Sequence, residues 1–488
     1  MKNTCLPFVF AAFALLCSQR AIAFTPNANS GSKLVTDSST KRNFIEEARK
    51  QVIGAFTERL RVSDRLKVSI PVPDLKIVTE RRLRDLQKRG IPIASSFIPS
   101  DYNPHPLLQN RHLQTILGVF IRDEPGVAYI QKSNVFQEIF PVGKAILSAL
   151  PSVIGKKDTE SECDFWDQRV RFETPDNDFF HVDYKYQNPE IEGGGEGMVV
   201  IIHGLESNSN STLCQNMARA YAENNMDVAC VNFRGCGGNP NDSILQYHGG
   251  WTQDMLLFLD KWAEGNKEKK RPMYITGFSL GANVAMKLLG DLSMDAVDKY
   301  NIRGAAVSGA PFDLVFHWRQ LSDVEFNRIV YAGSMLKSMK RKTQYITDRF
   351  LEGNTETDVF DYWKCMNATT IAEIEDGMIA PLYGFKDRFE YYEKSASLPV
   401  IDKIAVPTFV INAGDDPFFN PDHFPWEKDC EAGGVAPLKL TRTEKGGHLG
   451  HLFHRIENED ERPASFAPME LARFLEHVHS SNKSMAGL

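Results

Sequence analysis

Met273-Tyr274-Ile275-Thr276-Gly277-Phe278-Ser279-Leu280-Gly281-Ala282-Asn283-Val284-Ala285-Met286 is the stretch on which the rest of the chain is read. A short apolar run passes through Gly-x-Ser-x-Gly into a run of helix formers, which predicts strand, sharp turn and helix with Ser279 at the apex. A serine hydroxyl is a poor nucleophile unless a base takes its proton and nearby N–H groups receive the oxyanion. Such a turn holds the serine in a strained backbone conformation. Gly277 and Gly281 remove side chains that would strike the neighbouring strand and helix. Ser279 is therefore the candidate nucleophile, and the backbone N–H of Leu280 a candidate oxyanion donor.

The partners of such a serine are expected downstream, acid before histidine. Residues 407–413 read as a short buried strand that runs into Gly414-Asp415-Asp416-Pro417. Asp416, next to the proline, is the expected acid, and Asp415 is expected to order the loop through backbone N–H groups. Residues 438–443 alternate as a strand and end at Glu444-Lys445-Gly446-Gly447-His448-Leu449-Gly450. A histidine flanked by glycines after the last strand suits a general base, because it must approach the serine without obstruction. His448 takes that role, while His451 and His454 read as ordinary loop residues. Upstream, the apolar strand 198–202 ends at His203-Gly204-Leu205-Glu206, and the turn after it supplies the second oxyanion N–H, that of Leu205. His203 reads as a structural histidine bonding loop carbonyls.

Across 488 residues the hydrophobic fraction of 42% and charged fraction of 24% are those of an ordinary globular protein. A net charge of −7 gives no electrostatic reason to expect nucleic acid. No zinc-ligand spacing occurs among the cysteines and histidines, and the chemistry outlined above needs no cofactor. Beyond Cys5 and Cys17, the cysteines are scattered and read as buried free thiols, Cys230 and Cys236 included.

The first 23 residues combine Lys2, an apolar run over 6–17 and Ala21-Ile22-Ala23, the pattern of a signal peptide. Residues 24–43 begin with Phe24 and are rich in Ser, Thr and Asn, with Lys33, Lys41 and Arg42 against Asp37. That is transit-peptide composition. Together the two segments resemble the bipartite plastid presequence of algae with secondary plastids. The alternative is the secretory pathway, where the sequons at Asn210 and Asn367 become glycosylation sites.

Residues 44–95 read as a charged helical extension with a basic excess. A solvated extension is the preferred reading over peripheral contact at a membrane surface. From about 165 onward strand and helix patterns alternate: two antiparallel strands over 167–186, then strands near 198, 226, 272, 302, 407 and 438. Alternation of this kind implies an α/β fold, with a mostly parallel central sheet and helices on both faces. The alternation lapses over 311–398, an aromatic-rich, helical stretch that forms a cap insertion over the nucleophile. Most of its aromatics are expected to be the cap's own core, and a minority to line an acyl pocket. Residues 481–488 are left as a C-terminal tail.

The segment Asn103-Pro104-His105-Pro106-Leu107-Leu108-Gln109-Asn110-Arg111-His112-Leu113-Gln114-Thr115-Ile116-Leu117-Gly118 resembles the opening motif of the YheT-like α/β hydrolases. That group includes plant embryogenesis-associated proteins and yeast ethanol O-acyltransferase/ethyl-ester hydrolases. The similarity continues through His203-Gly204-Leu205-Glu206, Asn232-Phe233-Arg234-Gly235-Cys236-Gly237-Gly238, Tyr247-His248-Gly249-Gly250, the elbow, Asp415-Asp416-Pro417 and Gly447-His448-Leu449-Gly450. It covers roughly 95–480, and the hydrolase domain is set at 96–480. The resemblance implies an α/β-hydrolase fold and a Ser279–Asp416–His448 triad acting on lipid-like esters. From the residues alone, Arg234 and its glycines read as a structural loop, and Asn110-Arg111-His112 as a buried polar anchor.

The expectation is a serine carboxylester hydrolase acting on acyl-ester lipids of medium or long chain, such as acylglycerols or fatty acid alkyl esters. Two alternatives stay open: an alcohol acyltransferase using the same triad, and a non-catalytic lipid-binding receptor on the same scaffold.

Overall fold

The computed structural model describes residues 75–106, 108–118, 121–124, 127–130, 165–188, 193–454 and 463–486. The signal and transit segments, the first part of the charged extension and Cys163 lie outside the described residues.

Helix α1 (Leu75–Ser96) is followed by α2 (Arg111–Gly118) and a hairpin of β1 (Ile121–Glu124) and β2 (Val127–Ile130). The central sheet then uses β3 (Gln168–Glu173), β4 (Phe179–Lys185), β5 (Gly197–Ile202), β6 (Met226–Asn232), β7 (Met273–Phe278), β8 (Ile302–Ser308), β9 (Thr408–Ala413) and β10 (Leu438–Thr443). Its order is β10-β9-β8-β7-β5-β6-β4-β3. The run from β10 to β6 is parallel, and β4 and β3 join antiparallel at one edge.

Strands β5, β6, β7 and β9 are buried along their whole length, because helices cover both faces. One layer holds α3 (Thr212–Glu223) and the C-terminal helix, through Leu213, Met217, Tyr221, Leu471, Phe474 and Val478. The other holds α4 (Gln253–Gly265) and α5 (Leu280–Leu292), through Met255, Phe258, Leu259, Val284 and Leu288. Parallel strands start on one side and finish on the other, so the loops that leave β5, β7, β9 and β10 gather at one edge of the sheet.

The cap follows β8. It is built from α6 (Leu314–Ser322), a short helix Glu325–Asn327, a π-helical turn Arg328–Ala332, α7 (Gly333–Phe350), further short helices and α8 (Arg388–Ser395). It has its own core of Leu336, Ile346, Phe360, Tyr362, Cys365 and Ile374. Phe316, Phe326 and Trp363 are exposed rather than part of that core.

Two boundaries differ from the sequence reading. Helix α1 is not a solvated extension, since Leu86, Ile93 and Ala94 are buried against the hydrolase domain. The Gln87 side-chain amide donates to the carbonyls of Asp402 and Ile404, at 2.8 and 3.1 Å. Phe97 packs edge-on against Phe409 and Phe474. The helix is amphipathic: Arg81, Arg84, Lys88 and Arg89 stay on its exposed side. At the other end, α9 (Phe466–Ala486) continues the fold through most of what reads as a tail. The sequence also gives no forewarning of the β1–β2 hairpin or of the short pair β11 (Leu452–His454) and β12 (Pro463–Ser465), which places His454 in a strand.

Candidate active site

Ser279 closes β7 and caps α5 with φ 53° and ψ −126°. That conformation costs a non-glycine residue on the order of 1–3 kcal/mol, and the surrounding packing imposes it. A Cβ at Gly281 would lie 2.1 Å from the Ile202 carbonyl oxygen, and one at Gly277 2.7 Å from the Gly281 carbonyl oxygen. Both glycines are therefore required by the crossing of the turn over β5.

His448 Nε2 lies 2.9 Å from Ser279 Oγ, and His448 Nδ1 lies 2.9 Å from Asp416 Oδ2. A carboxylate only accepts, so the ring proton sits on Nδ1 and Nε2 is free to accept the serine proton. The second Asp416 oxygen accepts from the Phe418 N–H at 2.7 Å, which fixes the carboxylate plane. Asp415 turns the other way and accepts the Gly447 N–H at 2.9 Å, ordering the histidine loop. Burial pushes the Asp415 carboxyl above the usual range. Asp416 and His448 are both buried. Phe418 stacks on the imidazole at 3.9 Å and Phe419 meets it edge-on at 5.1 Å, which excludes water from the ring faces.

The backbone N–H groups of Leu205 and Leu280 engage no other group among the described residues. Leu205 follows a tight approach: a Cβ at Gly204 would lie 3.2 Å from the Ser279 Cβ. His203 explains the aim of this loop. Its Nε2 accepts from the Phe233 N–H at 3.1 Å, so Nδ1 carries the proton and donates to the Gly204 carbonyl at 2.8 Å. The Gly204 carbonyl and Leu205 N–H belong to one planar peptide and point in opposite directions. Holding the carbonyl thus fixes the N–H. Burial brings His203 down to about 4, so it stays neutral in this role.

Other sequence motifs serve as scaffold. Arg234 is buried and pairs with Asp254, Asp178 and Asp176. Cys214, Cys230, Cys236, Cys365 and Cys430 are free. His451 is buried beside Thr443 Oγ1 at 3.0 Å and faces Tyr102 rather than the serine. The opening motif does anchor the N-terminal segment, but through different residues. Asn110 caps α2 and Arg111 is exposed, whereas Gln114 and Thr115 are buried. Gln114 binds the carbonyls of Leu108 and Leu452, and Thr115 Oγ1 accepts the His448 N–H. The space beside Leu205 and Leu280 is walled by Met339, Ile374, Met378 and Ile379 of the cap, with Glu206, Lys342 and Glu375 among them, and Tyr391 is the cap aromatic that lines it. No group of residues suited to a metal ion occurs among the described residues.

The parallel sheet, the strained serine turn and the loops gathered at its edge define an α/β hydrolase. A family model described as serine aminopeptidase, S33, matches residues 195–357. The YheT protein of Escherichia coli (strain K12) is 29% identical over 289 residues, covering 58% of this chain and 78% of its own length. The medium-chain fatty acid ethyl ester synthase/esterase 2 of Saccharomyces cerevisiae is 27% identical, covering 52% and 58%. The monoacylglycerol lipase of the same yeast is 24% identical, covering 61% and 63%. The matched stretch thus spans less than two thirds of either yeast protein. These similarities support a YheT-like branch of the α/β-hydrolase superfamily. Its esterase and lipase relatives support a carboxylic ester hydrolase.

Proposed function

We propose that the protein hydrolyses acyl esters of lipids, medium- or long-chain acylglycerols or fatty acid alkyl esters, through an acyl-enzyme on Ser279. The observation that carries this reading is the continuous Ser279–His448–Asp416 chain, with both contacts at 2.9 Å, on a strained elbow. His448 takes the hydroxyl proton as Ser279 attacks the ester carbonyl, and Asp416 stabilises the resulting imidazolium. The Leu205 and Leu280 N–H groups receive the oxyanion, helped by the N-terminus of α5. The tetrahedral species collapses as His448 returns the proton to the leaving alcohol. Water, activated by the same histidine, then releases the fatty acid. The apolar wall of Met339, Ile374, Met378 and Ile379 supports a lipid-like substrate.

A panel of acyl esters graded in chain length, with products identified by mass, tests this. Free fatty acid from medium or long chains is the expected product. Dominant transfer to added ethanol or glycerol would instead establish the acyltransferase reading, which the synthase/esterase relative supports. Absence of either product would leave a lipid-binding role.

The leader belongs to the same proposal as an address. Residues 1–45 fused to a fluorescent protein are expected in the plastid of an alga with a secondary plastid, and Phe24→Ala to block the last step of entry. Asn210 and Asn367 are both exposed, so secretion of the unaltered fusion, with sugars on these residues in the full chain, would contradict it. Among the described residues no helix is long and apolar enough to cross a membrane.

A further inference from the structure

Glu206 directly follows the oxyanion residue Leu205 and holds φ 54°, a left-handed conformation that glutamate rarely adopts. Its side chain is only 8% exposed. One oxygen accepts from Ser338 Oγ at 2.5 Å, and the other from Lys342 Nζ at 2.8 Å and Tyr247 Oη at 2.8 Å. The Glu206 N–H donates back to the same Tyr247 oxygen at 2.8 Å. Tyr247 is itself fixed, stacked on Phe233 at 4.6 Å. Ser338 and Lys342 lie one helical turn apart on α7, so they present a single face of the cap to Glu206.

This arrangement exceeds what stability requires. A buried ion pair is a weak source of folding energy, because desolvation offsets its attraction. What it provides is a fixed geometry. His203 holds the peptide on one side of Leu205, and the cap, through Glu206, holds the residue on the other. Without the cap contacts the left-handed Glu206 is held by Tyr247 alone, and the turn carrying the Leu205 N–H keeps the His203 anchor on one side but is loosened on the other.

We infer that Ser338 and Lys342 are positioning residues that couple the cap to the oxyanion hole: the grip of α7 on Glu206 tightens the aim of the Leu205 N–H that His203 sets from the other side. The inference rests on the ester-hydrolase reading. The cap therefore does more than shelter the substrate; its seating completes the site that stabilises the transition state.

The test compares purified wild type with Lys342→Met, Lys342→Arg and Ser338→Ala on a short soluble p-nitrophenyl ester. Inhibition by an aryl trifluoromethyl ketone, whose serine adduct places an oxyanion in the hole, is measured in parallel. Lys342→Met is expected to lower kcat by about 30-fold, somewhat less than the ~10²–10³ typical of deleting an oxyanion donor outright. KM should stay within about threefold, and ketone affinity should fall by the same factor as kcat, since both report the oxyanion. Lys342→Arg should restore most of the rate. Should Lys342→Met fail to fold, Ser338→Ala decides, with about a fivefold loss in kcat and a matching loss in ketone affinity expected at unchanged KM. A folded Lys342→Met with wild-type kcat, a change in KM alone, or kcat and ketone affinity moving separately would overturn the coupling and leave the hydrolase reading intact. Ester turnover absent from the wild type would overturn both.

Discussion

The backbone N–H of His448 donates to Thr115 Oγ1 at 2.8 Å, so the loop of the candidate base is moored to helix α2, more than 300 positions earlier in the chain. The fit is close. A Cβ at Gly447 would lie 2.4 Å from the Arg111 carbonyl oxygen, and one at Gly450 2.3 Å from that of Gln114. Thr115→Val keeps the shape and removes the acceptor, leaving a buried N–H unsatisfied at a cost of ~1–3 kcal/mol. The expected outcome is a lower thermal midpoint together with a fall in kcat of about tenfold, the factor that ~1.4 kcal/mol represents. Melting curves and steady-state kinetics on one preparation check both.

Asp415 and Asp416 are adjacent but face different partners, the Gly447 N–H and the His448 ring. Asp416→Asn puts an amide where a pure acceptor is needed and favours the wrong histidine tautomer, a change that costs about 10⁴ in kcat in a serine protease with the same array. Asp415→Asn keeps an oxygen for Gly447 and should lose less than about tenfold, in line with one weakened hydrogen bond. Comparable losses from the two substitutions, or a greater loss at Asp415, would reverse the assignment.

Stability should fall on acidification through the buried histidines, partly offset by Glu375, whose carboxyl burial raises to about 7 so that it binds a proton more readily folded than unfolded. Burial lowers His203 to about 4, His248 to about 3 and His451 to about 4, from 6.5. Between roughly pH 6.5 and 4 the unfolded chain binds protons that the folded chain does not, so the stabilisation present above pH 6.5 is lost as pH drops through this window. Each tenfold difference in proton affinity between the folded and unfolded chain is worth about 1.4 kcal/mol, so the combined loss is on the order of several kcal/mol. Thermal midpoints recorded from pH 7.5 to 4.5 should decline, and His451→Gln should decline less steeply than wild type. A flat profile would contradict neutral burial of these rings.

Much of this site was legible in the sequence because it is local. The elbow, the Asp-Asp-Pro loop and the glycine-flanked histidine each announce themselves within a few residues, and their chain order follows from the strands that carry them. All eight strands of the central sheet were readable: β5, β6, β7 and β9 as short apolar runs buried on both faces, β10 by its alternation, and the edge strands β3 and β4 as a pair around a turn. Long-range partners were not legible. Nothing near Thr115 indicates that its hydroxyl meets a loop at position 448, and nothing in the spacing of Ser338 and Lys342 points to Glu206. Helix α1 misled for a related reason. Its basic residues dominate the composition, whereas Leu86, Ile93 and Ala94, which dock it, are few and spread along one stripe. Which of the cap aromatics reach the pocket was not legible, because size and hydrophobicity favour burial without saying against what: Phe360 and Tyr362 join the cap core, and Tyr391 lines the space beside Leu280.

The most direct measurement is the rate of acyl-ester hydrolysis by Ser279→Ala, compared with wild type at matched folding and protein concentration. With Ser279 as nucleophile the substitution should remove several orders of magnitude in kcat, up to about 10⁶, while the thermal midpoint stays close to wild type. A folded Ser279→Ala protein that retained more than about a tenth of the wild-type rate, far above that range, would contradict the assignment and place the chemistry elsewhere in the molecule.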